Sequence, residues 1–271
     1  MITALHLLAL ACYLGAAAVL GRALQRGEGP ASWSAPVLVL LGVLAHGAGV
    51  GVYTATHAEL PLVGLGPTLS TLGLAIAILL LAAERPREVR PLGLILLPLT
   101  VILVGAALLV GIRPAGEPLA FRGIWFVAHV VFAFAGYAGL AVAFAAGLLY
   151  LLQLRELRVK NFGRMFRFFP SLDALERTGR TALSIGFPAL TVALALGWAW
   201  TVRFRDSLEV GDPKVVWALF TWVVMGVALA FRGGGPHRQR WGALVTVLGF
   251  ALVVLAYLVL RAALPHGGRF F

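Results

Sequence analysis

Apolar runs of membrane-crossing length alternate with short, proline-marked polar connections along the whole chain. A helix needs about 20 apolar residues to cross the hydrocarbon core. Eight stretches qualify: 2–24, 35–56, 63–84, 91–112, 122–154, 181–204, 214–232 and 240–263. Pro30, Pro36, Pro61, Pro86, Pro91, Pro114, Pro118, Pro213 and Pro236 fall in or beside the connections, where helix boundaries tolerate them. The pattern predicts an all-α integral membrane protein, a bundle of eight transmembrane helices forming one polytopic domain over 1–271. The fifth stretch outruns a bilayer, so its polar end, Gln153 to Lys160, is expected to project as helix beyond the membrane. The first run has neither a basic leading segment nor a small-residue cleavage site, and reads as a retained span.

Composition reinforces this reading. The chain is 61% hydrophobic and 12% charged, with a mean hydropathy of +0.94, whereas soluble domains carry about 25% charged residues. A net charge of +11 would suggest nucleic acid in a soluble chain. Here the cations sit between spans, so they report topology and no nucleic-acid partner is expected. Fifteen Lys and Arg fall in one set of connections and seven in the other. The richer set is expected in the cytoplasm, which puts both termini outside and places the protein in a bacterial-type cytoplasmic membrane. Within that set, 155–180 forms a basic cytoplasmic loop. Met165-Phe-Arg-Phe-Phe169 alternates bulk and charge, and Ser171 is placed to cap a short helix over 171–177. This loop reads as an interfacial segment on anionic lipid or as a platform for a cytoplasmic partner. The single cysteine, Cys12, excludes an intrachain disulfide and any C-x-x-C motif.

The chemistry gathers at one side of the predicted membrane. Gly197 to Trp222 is an outer hairpin in which aromatics and cations crowd a polar turn, with Asp212 and Pro213 placed to start its second helix. No span carries paired carboxylates, which leaves a proton or cation relay with little support, and no nucleotide or hydrolase motif is present. The spans do contain histidine. His129 lies seven residues after Arg122, about 10 Å inward, with Trp125 one turn before it and Gly136 two turns after. Gly136 is expected to let a flat ligand approach the backbone. His46 lies mid-span, with Tyr53, His57, Gly42 and Gly49 on its face. His6, His57, His129 and His266 all map to the outer half, whereas His237 lies in a cytoplasmic connection. Neutral imidazoles are the usual axial ligands of haem iron, and Arg122, Arg203, Arg205 and Lys214 stand at the level where propionates would lie. Zinc, drawing on the outer-loop acids, is the alternative.

Asp212-Pro-Lys214, Trp217-Ala-Leu-Phe-Thr-Trp222, Gly249-Phe250 and Tyr257 carry a resemblance. In these residues and their spacing, 122–268 resembles the cytochrome c assembly membrane proteins of the CcsA/CcmC type, above all the HemX/YpjD-like branch. The resemblance implies haem b held near the outer face between two histidines that flank the hairpin. His129 and His266 take those positions, with His57 and His46 in reserve. It further implies that Trp125, Trp198 and Trp200 contact the macrocycle and that Arg122, Arg203 and Lys214 face its propionates. The chain departs from the pattern where Thr201 to Asp206 replaces the Trp-rich core, where Ala230 replaces a membrane histidine and where Val215 follows Asp212-Pro-Lys214. The resemblance therefore implies haem binding rather than covalent attachment of haem to apocytochrome. Expected partners are haem, the bilayer, and either another cytochrome c maturation subunit or a soluble haem-synthesis enzyme. A HemX-like scaffold recruiting such an enzyme through 155–180, without catalytic haem, is the alternative function. A transporter would show internal span symmetry, and none is visible.

Overall fold

A computed structural model describes residues 1–28, 33–83, 87–114, 123–160, 163–204, 213–232 and 234–263. It leaves out the side chains of residues 87, 88, 203, 204, 214 and 260–263. All described regular structure is helical: α1 (Ile2–Arg26), α2 (Ser34–His57), α3 (Leu65–Ala83), α4 (Gly93–Val110), α5 (Ile124–Arg158), α6 (Arg164–Phe168), α7 (Leu172–Phe204), α8 (Pro213–Phe231) and α9 (Pro236–Ala263). A 3-10 turn, Arg87–Leu92, leads into α4. Seven helices are long and apolar enough to cross a membrane, and α8 contributes a shorter apolar segment, Val215–Phe231. The chain is a multi-pass membrane protein. The eight expected stretches recur in order, with the seventh falling short of the others in apolar length.

The chain divides into two compact units, residues 1–117 with 149–178, and residues 118–148 with 179–271. In the first, α1 packs on α2 and α4, and α3 packs on α4 and α2. Close approach is bought with glycine at two places on α2: a Cβ at Gly42 would stand 2.5 Å from the Tyr13 ring, and one at Gly49 2.7 Å from the His6 ring. These glycines, expected beside His46, therefore make room for the rings of α1. At the end of this unit where α1 stops, Gly27 takes a left-handed φ of 68° and ends the helix. The Arg164 guanidinium of α6 donates to the Gln25 carbonyl at 2.6 Å. Phe168 and Phe169 are buried, and only Arg164, Met165 and Arg167 of α6 are exposed. The bulky half of the basic loop is thus core, and its cationic half is surface. Nearby, the buried Arg90 guanidinium lies 4.5 Å over the Trp33 ring.

The expected short helix at 171–177 is not separate. The Ser171 hydroxyl accepts from the Ala174 amide at 3.2 Å, capping as predicted, but the helix it starts runs on unbroken as α7 to Phe204. Past the cap, no proline intervenes before Pro188, so nothing stops propagation from the polar turns into the apolar ones.

In the second unit α5 and α7 meet through glycine. A Cβ at Gly139 would lie 3.0 Å from the Ala182 carbonyl, and one at Gly136 2.8 Å from Leu190 Cβ. Gly136 is accordingly a helix-packing residue here, rather than the ligand window its spacing suggested. The core around this seam is Leu140, Ala143, Leu183, Leu190, Ala193, Met225 and Ala228. Two tryptophans fasten α8. Trp222 stacks on Phe187 and donates its indole N–H to the Thr191 hydroxyl at 2.8 Å. Trp217 donates to the Val253 carbonyl of α9 at 3.0 Å and stacks on Tyr137 of α5. At the other end of α8, the Arg232 guanidinium donates to the Thr246 hydroxyl at 3.2 Å.

Candidate functional site at His129

His129 enters the second turn of α5, against α7. Its Nδ1 lies 2.7 Å from the Ala193 carbonyl oxygen. A carbonyl only accepts, so Nδ1 carries a proton, and in the neutral imidazole Nε2 then keeps its lone pair. The ring gets this close because Gly197, one turn beyond Ala193, has no side chain: a Cβ there would stand 2.8 Å from His129 Cε1. The residue is half-buried, and no hydrogen bond reaches Nε2 from among the described residues. One nitrogen anchored to a carbonyl with the other left basic is how ligating histidines are usually held.

Helix geometry distributes the neighbouring indoles. Trp125 lies one turn before His129 on α5 and is 63% exposed. On α7 the face that meets His129 passes through Ala193 and Gly197 and returns at Trp200, which is half-buried. Trp198 is a step of about 100° away from Gly197 and is 62% exposed. Trp198 and Trp200 therefore lie on different sides of α7, and Trp200 shares the His129 side. Further along α5 in the same unit, Tyr137 stacks on Trp217 at 5.0 Å, and Tyr257 lies tilted against Trp217 at 5.6 Å.

His266, Arg122, Arg205 and Asp212 lie outside the described residues. Arg203 and Lys214 lie on α7 and α8, but their side chains are not described. His57 and His46 belong to the first unit. His57 ends α2 with its ring 4.7 Å from that of Tyr53, whose hydroxyl donates to Glu59 at 2.8 Å. His46 is fully buried, and both its ring nitrogens are engaged: Nδ1 with the Tyr13 hydroxyl at 3.4 Å and Nε2 with the Ser70 hydroxyl at 2.9 Å. His6 Nε2 reaches the same hydroxyl at 2.9 Å. Among the described residues no three His, Cys, Asp or Glu side chains converge as a metal-binding group, so the zinc alternative has no described ligand set. A haem fits what is present in one respect, the His129 ring anchored through Nδ1 with Nε2 left to ligate.

Sequence reading missed the Ala193 carbonyl, the role of Gly197 and the Ser70 hydroxyl. Gly197 was legible only as the start of the hairpin. Ser70 sits among Thr68 and Thr71 in an otherwise apolar run, and that cluster of hydroxyls was the one available signal.

The sequence pattern of the cytochrome C assembly protein family matches residues 65–266. Curated relatives named cytochrome c biogenesis protein CcsA are similar over parts of the chain. That of Guillardia theta is 27% identical over 154 residues, covering 51% of this chain and 51% of the relative. That of Synechococcus sp. (strain CC9605) is 29% identical over 176 residues, covering 56% and 58%. That of Chlamydomonas reinhardtii is 29% identical over 140 residues, covering 51% and 38%. The chain spans about half the length of the curated relatives it matches. The family match takes in His129, both motif tryptophans and His266, and begins only at α3, leaving α1 and α2 outside.

Proposed function

The chain belongs to the cytochrome c assembly protein family, and on that premise we propose that it is a membrane haem-handling protein that holds haem b at His129. The observation that carries this reading is the His129 tautomer, set by the Ala193 carbonyl so that Nε2 is free to ligate. His266, at the far end of the family match, would be its partner in holding the haem. Trp125, Trp198 and Trp200 would contact the macrocycle, and Arg122, Arg203 and Lys214 would pair with its propionates. Bound there, haem would supply an iron centre for delivery, sensing or electron exchange. The chain's own part is to anchor the imidazole by Nδ1 and wall off one side with α7. The membrane embedding is read as eight crossings with both termini on the outer side of a cytoplasmic membrane. Within the family we place the chain in the HemX/YpjD-like branch, where His46 resembles a histidine of the second span; Ala230 in place of a membrane histidine and the replaced Trp-rich core favour haem binding over covalent attachment.

Purified protein supplied with haem is expected to show a Soret band of bis-histidine type. A His129→Ala, His266→Ala double variant should lose it. Full haem content in the folded double variant would end the assignment.

One observation favours a second reading. α6 turns Arg164, Met165 and Arg167 outward while Phe168 is core, which leaves a cationic strip able to recruit an acidic surface of a soluble haem-synthesis enzyme. Arg164→Glu with Arg167→Glu should then abolish recruitment and leave haem content unchanged. Recruitment that survives the double charge reversal would remove this reading.

A further inference from the structure

Four polar side chains meet inside the first unit, away from His129. Tyr13, His46, Ser70 and His6 come from α1, α2 and α3, and all four are wholly buried. Their contacts fix where each proton sits. His6 Nδ1 lies 2.8 Å from the Ile2 carbonyl, which can only accept, so Nδ1 carries a proton. The helical segments 2–21, 34–57, 65–83 and 93–110 contain no Asp, Glu, Lys or Arg. The titratable groups on them besides the cluster are Cys12, Tyr53 and His57, and the nearest carboxylate on α2's side, Glu59, is bonded to Tyr53. An imidazolium in the cluster would have no counter-charge, so both rings are neutral.

Neutrality determines the rest. With Nδ1 protonated, His6 Nε2 is an acceptor, and the Ser70 hydroxyl donates to it. Ser70 has only that one proton, so His46 Nε2 must donate to the Ser70 oxygen. His46 Nδ1 then has a lone pair and accepts from the Tyr13 hydroxyl. The chain reads Tyr13 to His46 to Ser70 to His6 to the Ile2 carbonyl, with every donor pointing the same way. The two histidines are opposite tautomers, each imposed by the next group along. The seam is built around them, because any side chain at Gly42 or Gly49 would collide with the Tyr13 or His6 ring.

We propose that these four residues form a proton relay of one polarity, carrying a proton from mid-span toward the end of the membrane at which α1 begins. In one pass, a proton delivered to the Tyr13 oxygen displaces the phenol's own proton onto His46 Nδ1. The His46 Nε2 proton moves to Ser70, the Ser70 proton moves to His6 Nε2, and the His6 Nδ1 proton is released at the Ile2 end of the cluster. One proton enters, one leaves, and each group ends neutral: the three hydrogen bonds within the cluster are reversed, and the His6–Ile2 bond re-forms when the ring protons return to their starting nitrogens. Tyr13 and Ile2 are separated by 11 residues of α1, about 16 Å of rise, roughly half of a 30 Å hydrocarbon core. The absence of carboxylates argued against a relay in the sequence. The folded chain makes one from neutral groups, which avoids placing a fixed charge in the span.

The test uses full-length protein in lipid with 15N-labelled histidine. His6 should appear as the Nδ1–H tautomer and His46 as the Nε2–H tautomer; matching tautomers, or an imidazolium at neutral pH, would overturn the proposal. Deuterium exchange of the His46 ring proton then separates a relay from a packing cluster. Ser70→Ala and Tyr13→Phe each break the chain, so exchange should slow by about tenfold or more in both, and Ser70→Thr should restore it. A cluster that only packs would be loosened by the same changes. Unchanged or faster exchange, with backbone exchange of α1–α3 as the check on folding, would therefore refute the relay.

Discussion

One backbone carbonyl decides what His129 can do. The Ala193 oxygen lies on α7 and the imidazole on α5, so only their packing places the proton on Nδ1. That packing depends on Gly197. A Gly197→Val substitution puts carbon where the ring now lies, 2.8 Å from Cε1 for the first atom alone, and should push the imidazole off its anchor. We expect haem affinity to fall by about tenfold or more, the equivalent of about 1.4 kcal/mol, while the helical circular dichroism is retained. Haem titration of purified variant and parent protein checks this, and unaltered affinity would mean that His129 is not the ligand. At the same scale, the sequence pointed to His129 by its depth and its neighbours, and the tautomer was beyond it. Spacing along one helix carries no information about the carbonyl that a second helix will present.

At the scale of elements, two devices hold helices in place, glycine seams and indole pins. Gly139 lets the backbones of α5 and α7 approach closely. Gly139→Leu should overpack this seam and cost about 1–3 kcal/mol, read as a lower thermal unfolding midpoint in detergent. Ser171 starts α7 with a side-chain cap, and Ser171→Ala should cost about 1 kcal/mol, measurable by the same melt. A Ser171→Asp variant should recover most of it, because aspartate caps as well. The cap was visible in the sequence, but the length of the helix behind it was not. Residues 172–180 are polar and were read apart from the apolar span, whereas a helix once nucleated runs through polar turns at little cost. The motif tryptophans show a similar division. Their presence identified the helix, and the structure shows that Trp217 ties α8 to α9 while Trp222 ties it to α7.

For the whole molecule, hydropathy and charge bias make a topology that chemistry can test. Single cysteines placed at Ala58 and Ile112 should react with an impermeant maleimide in intact cells, and cysteines at Glu28 and Lys160 should react only after permeabilisation. Cys12, half-buried within α1, is replaced by alanine as background. The reverse labelling pattern would invert the orientation and move His129 to the cytoplasmic half. The order and approximate bounds of the helices were determined by sequence alone, because a bilayer imposes a length and an apolar content that a single run of residues either meets or does not. Which faces of those helices meet was decided only in three dimensions. His6, His46 and Ser70 lie on three different spans, and nothing in their separate positions says that two imidazoles will share one hydroxyl. Hydropathy is a property of one segment against its solvent. A tautomer, a seam and a hydrogen-bonded chain are properties of segments against each other, set by how far each helix is turned about its own axis.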